Sequence, residues 1–289
     1  MTEPRLHHIQ ALSPTGLHRV AYWEWGDPAN PRVLVCAHGL TRQGRDFDTL
    51  ARALAPSVRV VCPDVVGRGE SDWLGDPSGY ALPQYVADMV VLLARLNATQ
   101  VDWVGTSMGG LIGMALASLP NSPLRRLVLN DVGPTIEASA VQRIAAYVGH
   151  TMAFDSLEAG AQALRASCEG FGSFTPEAWL ALNRPMFRDV AGGGVRLHYD
   201  PRIAQNFGLI SPAFAAAAEA QLWDAYDRLR LPVLLLRGAD SDLLSPETAQ
   251  AMVARGPKAR LVSFNGVGHA PMLDRPEQLA PVLAFLQAP

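Results

Sequence analysis

A chain of 289 residues that is 49% hydrophobic and 18% charged has the composition of a folded globular protein. It suits one large α/β domain, or such a domain with an inserted lid, better than two independent domains. With 24 Lys and Arg against 27 Asp and Glu, it offers no electrostatic reason to bind nucleic acid or an anionic membrane surface, so a small molecule is the expected partner.

The amino-terminal stretch MTEPRLHHIQALSP lacks a basic region followed by a continuous apolar run, and no later apolar stretch is long enough to span a bilayer. A cytoplasmic location away from membranes is therefore expected. His7 and His8 belong to this segment, H-E-x-x-H is missing, and neither metal nor other cofactor is expected. His18 to Trp25 reads as a strand, ended by the turn residues Gly26-Asp27-Pro28 and Asn30-Pro31. Arg32 to Ala37, RVLVCA, is apolar without alternation, the pattern of a strand covered on both faces in a parallel sheet. It halts at His38-Gly39. Asp46 to Leu54 has helical spacing, and Val58 to Cys62 is the next buried strand, closing at Pro63-Asp64. Cys36 and Cys62 fall in these strand-like runs and, with Cys168, show no C-x-x-C spacing; buried thiols there pack as small hydrophobes.

A glycine-rich corner from Asp64 to Asp72 follows, in which Arg68, Ser71 and Asp72 are expected to hold the loop. Leu82 to Leu96 is an amphipathic helix, and Val101 to Val104 and Arg126 to Asn130 are strands on either side of a small-residue helical segment. Strand and helix alternate, which calls for parallel pairing with right-handed crossovers. From Gly133 to about Arg230 the rhythm breaks. This Ala-rich stretch has helix-like pieces at Ala138 to Val148, Leu157 to Ser167, Pro176 to Leu182 and Ala213 to Leu229, and no clear buried strand. Leu231 to Arg237 restores the strand pattern, followed by a helix at Pro246 to Ala254, a strand at Ala259 to Phe264 and a closing helix at Pro276 to Leu286. The chain thus divides into an α/β core, 1–132 and 231–289, and an inserted helical segment, 133–230, that is expected to cap it.

Between the strand at Val101 and the helix after it lies Gly105-Thr106-Ser107-Met108-Gly109. G-x-S-x-G places a serine on a strained strand-to-helix corner with its hydroxyl above the sheet edge. Glycines at the two flanks let strand and helix approach closely. Ser107 is the candidate nucleophile. A hydrolytic serine needs a base within hydrogen-bond reach and a third group to orient the base. His269, in Gly266-Val267-Gly268-His269-Ala270-Pro271 after the last strand, is the candidate base, since His7, His8, His18, His150 and His198 read as surface residues and His38 belongs to another loop.

These motifs, in this order, resemble the α/β-hydrolase family over nearly the whole chain. The resemblance implies a mostly parallel central sheet flanked by helices, with a cap inserted after the sixth strand. His38-Gly39-Leu40 is similar to the family's oxyanion loop, so the main-chain N–H groups of Leu40 and Met108 are expected to form the oxyanion hole. The family's carboxylate follows the strand at Leu231, in Gly238-Ala239-Asp240-Ser241-Asp242-Leu243-Leu244-Ser245-Pro246. Asp242 is preferred there over Asp240, whose nearness to the strand end suits a loop cap. A third carboxylate, Asp131, follows the preceding strand, a position used by the family's haloalkane dehalogenases. Those pair it with an aspartate nucleophile, so Asp131 is expected to be structural at the hinge of the cap. Arg42 and Arg45, just beyond the oxyanion loop, are candidate contacts for an anionic substrate group. The expected activity is hydrolysis of small to medium carboxylic esters or lactones through an acyl-enzyme. Carbon–carbon hydrolysis of dienone-type substrates and a ligand receptor with little turnover stay open.

Overall fold

Alternate residues of a strand face opposite sides of the sheet, so a strand apolar at every position needs cover on both. The computed structural model, which describes residues 3–150, 153–209 and 211–288, uses its central strands in this way. The chain runs through β1 (Arg5–Ser13), β2 (Gly16–Trp25), β3 (Val33–Ala37), α1 (Asp48–Leu54), β4 (Arg59–Pro63), α2 (Leu82–Leu96), β5 (Val101–Thr106), α3 (Met108–Ala117), β6 (Leu124–Asn130), α4 (Ala138–Tyr147), β7 (Ala153–Phe154), α5 (Leu157–Ser167), α6 (Pro176–Asn183), β8 (Phe187–Asp189), β9 (Val195–Leu197), α7 (Pro212–Arg228), β10 (Val233–Gly238), α8 (Pro246–Ala254), β11 (Arg260–Phe264) and α9 (Pro276–Gln287).

The main sheet has the order β1-β2-β4-β3-β5-β6-β10-β11. β2 pairs antiparallel with both β1 and β4, and the strands from β4 to β11 pair in parallel. In β3, Val33, Val35 and Ala37 face a cluster that holds Met89 and Leu92 of α2 and Ile112 of α3. Leu34 and Cys36 face the opposite cluster, with Leu50 and Leu54 of α1 and Val282 and Leu286 of α9. The two-faced core expected from RVLVCA is present. Among the described residues no helix is long and apolar enough to cross a membrane.

The amino-terminal stretch differs from expectation. It forms the edge strand β1, in which Ile9, Ala11 and Ser13 alternate inward while their neighbours stay exposed, as a strand covered on one face requires. His18 is not at the surface either. It is 4% exposed, with Nε2 3.1 Å from Asp88 Oδ1 of α2.

The chain leaves the sheet after β6 and re-enters at β10, and these strands are hydrogen-bonded neighbours. The intervening segment therefore rises and returns over one point of the sheet edge, beside the corner that carries Ser107. Its helices occur where helical spacing places them. A three-stranded antiparallel sheet, β7-β9-β8, joins them; its strands have only two or three residues, too few to show a period. The segment buries its own cluster of Ala161, Leu164, Trp179, Met186, Phe187 and Val195. Tyr226 of α7 and Leu229, just past its end, pack into the main core instead.

Candidate active site

At the end of β5 the chain reverses into α3 through Ser107, whose φ of 51° and ψ of −118° lie where few side chains go. The flanking glycines explain how this corner closes. A Cβ on Gly105 would meet Gly109 O at 2.2 Å, and one on Gly109 would meet Ala37 O at 2.0 Å. Larger residues would force helix and strand apart and lower the serine from the sheet edge. The main chain holds the corner as well, with Ser107 N–H donating to Asn130 O of β6 at 3.0 Å.

Ser107 Oγ lies 3.0 Å from His269 Nε2, and His269 Nδ1 lies 2.8 Å from Asp131 Oδ2. A carboxylate only accepts, so Nδ1 carries the ring proton and Nε2 is left to accept from the serine hydroxyl. Asp131 is fully buried and its carboxylate also accepts from Gly238 N–H at 2.8 Å and Ser241 Oγ–H at 2.6 Å. Three donors thus hold it in place.

This corrects the expected acid. Asp242 stands on the rim, its side chain 41% exposed, with Nε and Nη2 of Arg143 at 2.6 and 2.9 Å on its two oxygens. Asp240 is exposed too. The cause is topological. β6 and β10 are adjacent, so carboxylates after either strand could approach His269. Asp131, directly after β6 and at φ 56°, turns into the gap, while Asp242 lies four residues past the end of β10. The available signal was the position of Asp131 at a strand end beside the serine corner.

The loop after β3 is held from below by His38. Its Nε2 accepts from Val65 N–H at 2.9 Å and its Nδ1–H donates to Gly39 O at 2.6 Å. Complete burial drives its pKa down to about 3, which keeps the ring neutral and able to accept. Leu40 borders the cavity in which Ser107 and His269 meet. Met108 is the first residue of α3, where the helix offers its N–H no internal acceptor.

Neither arginine waits for a ligand. Arg45 lies outside that cavity, bound to both oxygens of Asp48 at 2.7 Å with its guanidinium 4.8 Å above the ring of Trp23. Arg42 does reach the cavity wall. It is engaged there by Asp46, with Nε at 2.8 Å from Oδ2, and by Asn183 Oδ1 at 2.8 Å from the inserted segment. Arg42→Gln would leave the largely covered Asp46 carboxylate without its cation, at a cost of up to about 3 kcal/mol. Urea unfolding of this variant should show that loss, and adding Asp46→Asn should recover part of it.

The inserted segment closes the cavity from above with Ile144, Tyr147, Leu164, Phe171, Met186 and Tyr199, facing Ser107, His269, Leu40 and Met272 below. It is pinned to the histidine loop through Gly268 N–H donating to Gly170 O at 2.7 Å.

A model described as the alpha/beta hydrolase family matches residues 34–282. The chain is 56% identical over 280 residues to a 3-hydroxybutyrate-oligomer hydrolase of Cupriavidus necator, over 96% of each protein. To an esterase of Mycobacterium tuberculosis it is 27% identical over 290 residues, 97% of this chain and 88% of that one. The solved structure of an alpha/beta hydrolase from Novosphingobium aromaticivorans matches with a TM-score of 0.87 and 35% identity over 99% of both chains.

Proposed function

The chain belongs to the α/β-hydrolase family and is an ester hydrolase, and from that premise we propose that it cleaves short oligomeric esters of 3-hydroxybutyrate through an acyl-enzyme. The observation that carries this reading is the ordered relay Ser107–His269–Asp131 beneath a mostly apolar cap. The full-length similarity to the Cupriavidus necator enzyme supports the choice of substrate.

His269 Nε2 takes the Ser107 proton as Oγ attacks the ester carbonyl, and Asp131 stabilises the imidazolium that results. The N–H groups of Leu40 and Met108 receive the oxyanion. When the tetrahedral intermediate collapses, His269 returns the proton to the departing 3-hydroxyl. A water molecule deprotonated by the same histidine then releases the second acid. Both arginines on the cavity wall, Arg42 and Arg143, already face carboxylates of the protein.

Dimers and trimers of 3-hydroxybutyrate, p-nitrophenyl butyrate and palmitate, a lactone and a vinylogous dienone acid form the test panel. The oligomers and the short acyl ester should have the highest kcat/KM, and palmitate should fall at least about tenfold below butyrate because its chain overfills the capped cavity. Turnover of the dienone acid with little activity on any ester would overturn the reading.

A further inference from the structure

Arg68, in the glycine-rich corner after β4, is fully buried, where arginine is seldom found without a paired carboxylate. It forms no ion pair among the described residues. The acidic side chains nearby are engaged elsewhere: Asp64 accepts from the N–H groups of Gly44 and Glu70, and Asp200 from Tyr80 and Arg202. The guanidinium donates instead to Leu40 O and Val66 O, each at 2.7 Å, and to the Tyr85 hydroxyl at 3.0 Å. It lies 5.0 Å from the ring centroid of Tyr85 and 5.7 Å from that of Tyr80. Its Nη2 meets Met108 Sδ at 3.6 Å.

Two of these contacts, Leu40 and Met108, are the residues whose N–H groups are proposed to receive the oxyanion. We infer that Arg68 is a positioning residue for that hole, holding both donor residues from behind and placing an unneutralised positive charge at their back. A buried charge is costly unless an opposite charge meets it. In this site the opposite charge exists only while the carbonyl oxygen carries it, so the interaction is stronger in the transition state than with bound ester, as catalysis requires. Neutral carbonyls and aromatic faces keep the guanidinium in place without cancelling its charge. The corner is also bonded to the cap, Gly69 N–H to His198 O at 2.9 Å and Asp200 N–H to Gly67 O at 2.8 Å, so the seating of the cap and the position of Arg68 are linked. The inference rests on the serine-hydrolase reading above.

Arg68→Gln and Arg68→Lys, measured beside the wild type on p-nitrophenyl butyrate and with an aliphatic trifluoromethyl ketone, test it. Ser107 Oγ adds to that ketone by forming one C–O bond, passing its proton to His269 and leaving the ketone oxygen as an oxyanion, so the inhibition constant reads the hole directly. Arg68→Gln should lower kcat on the order of 100-fold with KM little changed, and should weaken the inhibitor by the same factor. Arg68→Lys, which keeps a cation but cannot hold Leu40 and Met108 together, should lie between. If Arg68→Gln does not fold, the same proportionality is required of Arg68→Lys alone. A variant that hydrolyses slowly yet binds the trifluoromethyl ketone as tightly as wild type overturns the inference and leaves the serine reading standing. A wild-type protein that the ketone fails to inhibit overturns both.

Discussion

Ser107→Ala is expected to lower ester hydrolysis by about 10⁵–10⁶-fold while the melting temperature stays within a few degrees of wild type. The activity is lost because only the reacting oxygen is removed. His269 and the oxyanion donors have no nucleophile to assist, and what remains is binding and polarisation of the carbonyl. The fold is kept for a local reason. The serine side chain makes no capping bond to α3, and alanine has the same Cβ, so it bears the strain of φ 51° equally. The main-chain bond to Asn130 O does not depend on the side chain. An assay with p-nitrophenyl butyrate alongside thermal melting decides the matter, and turnover above about 1% of wild type would place the nucleophile elsewhere.

Asp131→Asn is expected to cost about 10⁴-fold in kcat, whereas Asp242→Asn should stay within about threefold, as exposed ion pairs contribute little. An asparagine at 131 can turn its amide N–H toward His269 Nδ1. That ring nitrogen must then accept, the proton moves to Nε2, and the lone pair that receives the serine hydroxyl is lost. The hydrogen-bonded geometry can survive such a change while the chemistry does not. Asp242 makes both of its close contacts with Arg143 on the rim, so its amide variant disturbs a half-exposed pair. Steady-state kinetics on the two purified variants should separate kcat from KM, and a larger loss from Asp242→Asn would refute the relay described here.

The corner at Ser107 was legible in the sequence because its cause is local. Two glycines, a serine and a change of apolar period are neighbours in the chain, and the steric clash that a Cβ at Gly105 would make with Gly109 acts within a few residues. His269 was legible by its glycine-rich loop after the last strand. The insertion was read from the interruption and return of the strand pattern. β1 was missed because alternation on an edge strand is diluted by polar residues such as His7 and His8. β7, β8 and β9 were missed because their ladders, two or three residues long, are stabilised by one another and by the cluster under them.

Residue order by itself therefore determined the class of fold, the alternation of strands and helices in the core and the glycine-flanked corner at Ser107, since each follows from periodicity or from backbone sterics between close neighbours. Only the tertiary structure decided which carboxylate orients His269, which arginines are already paired, and that Arg68 lies buried behind Leu40 and Met108. Those outcomes depend on the approach of side chains from strands and loops distant in the chain. There a difference of one strand end, β6 rather than β10, exchanges a buried carboxylate with three donors for an exposed one bound by Arg143.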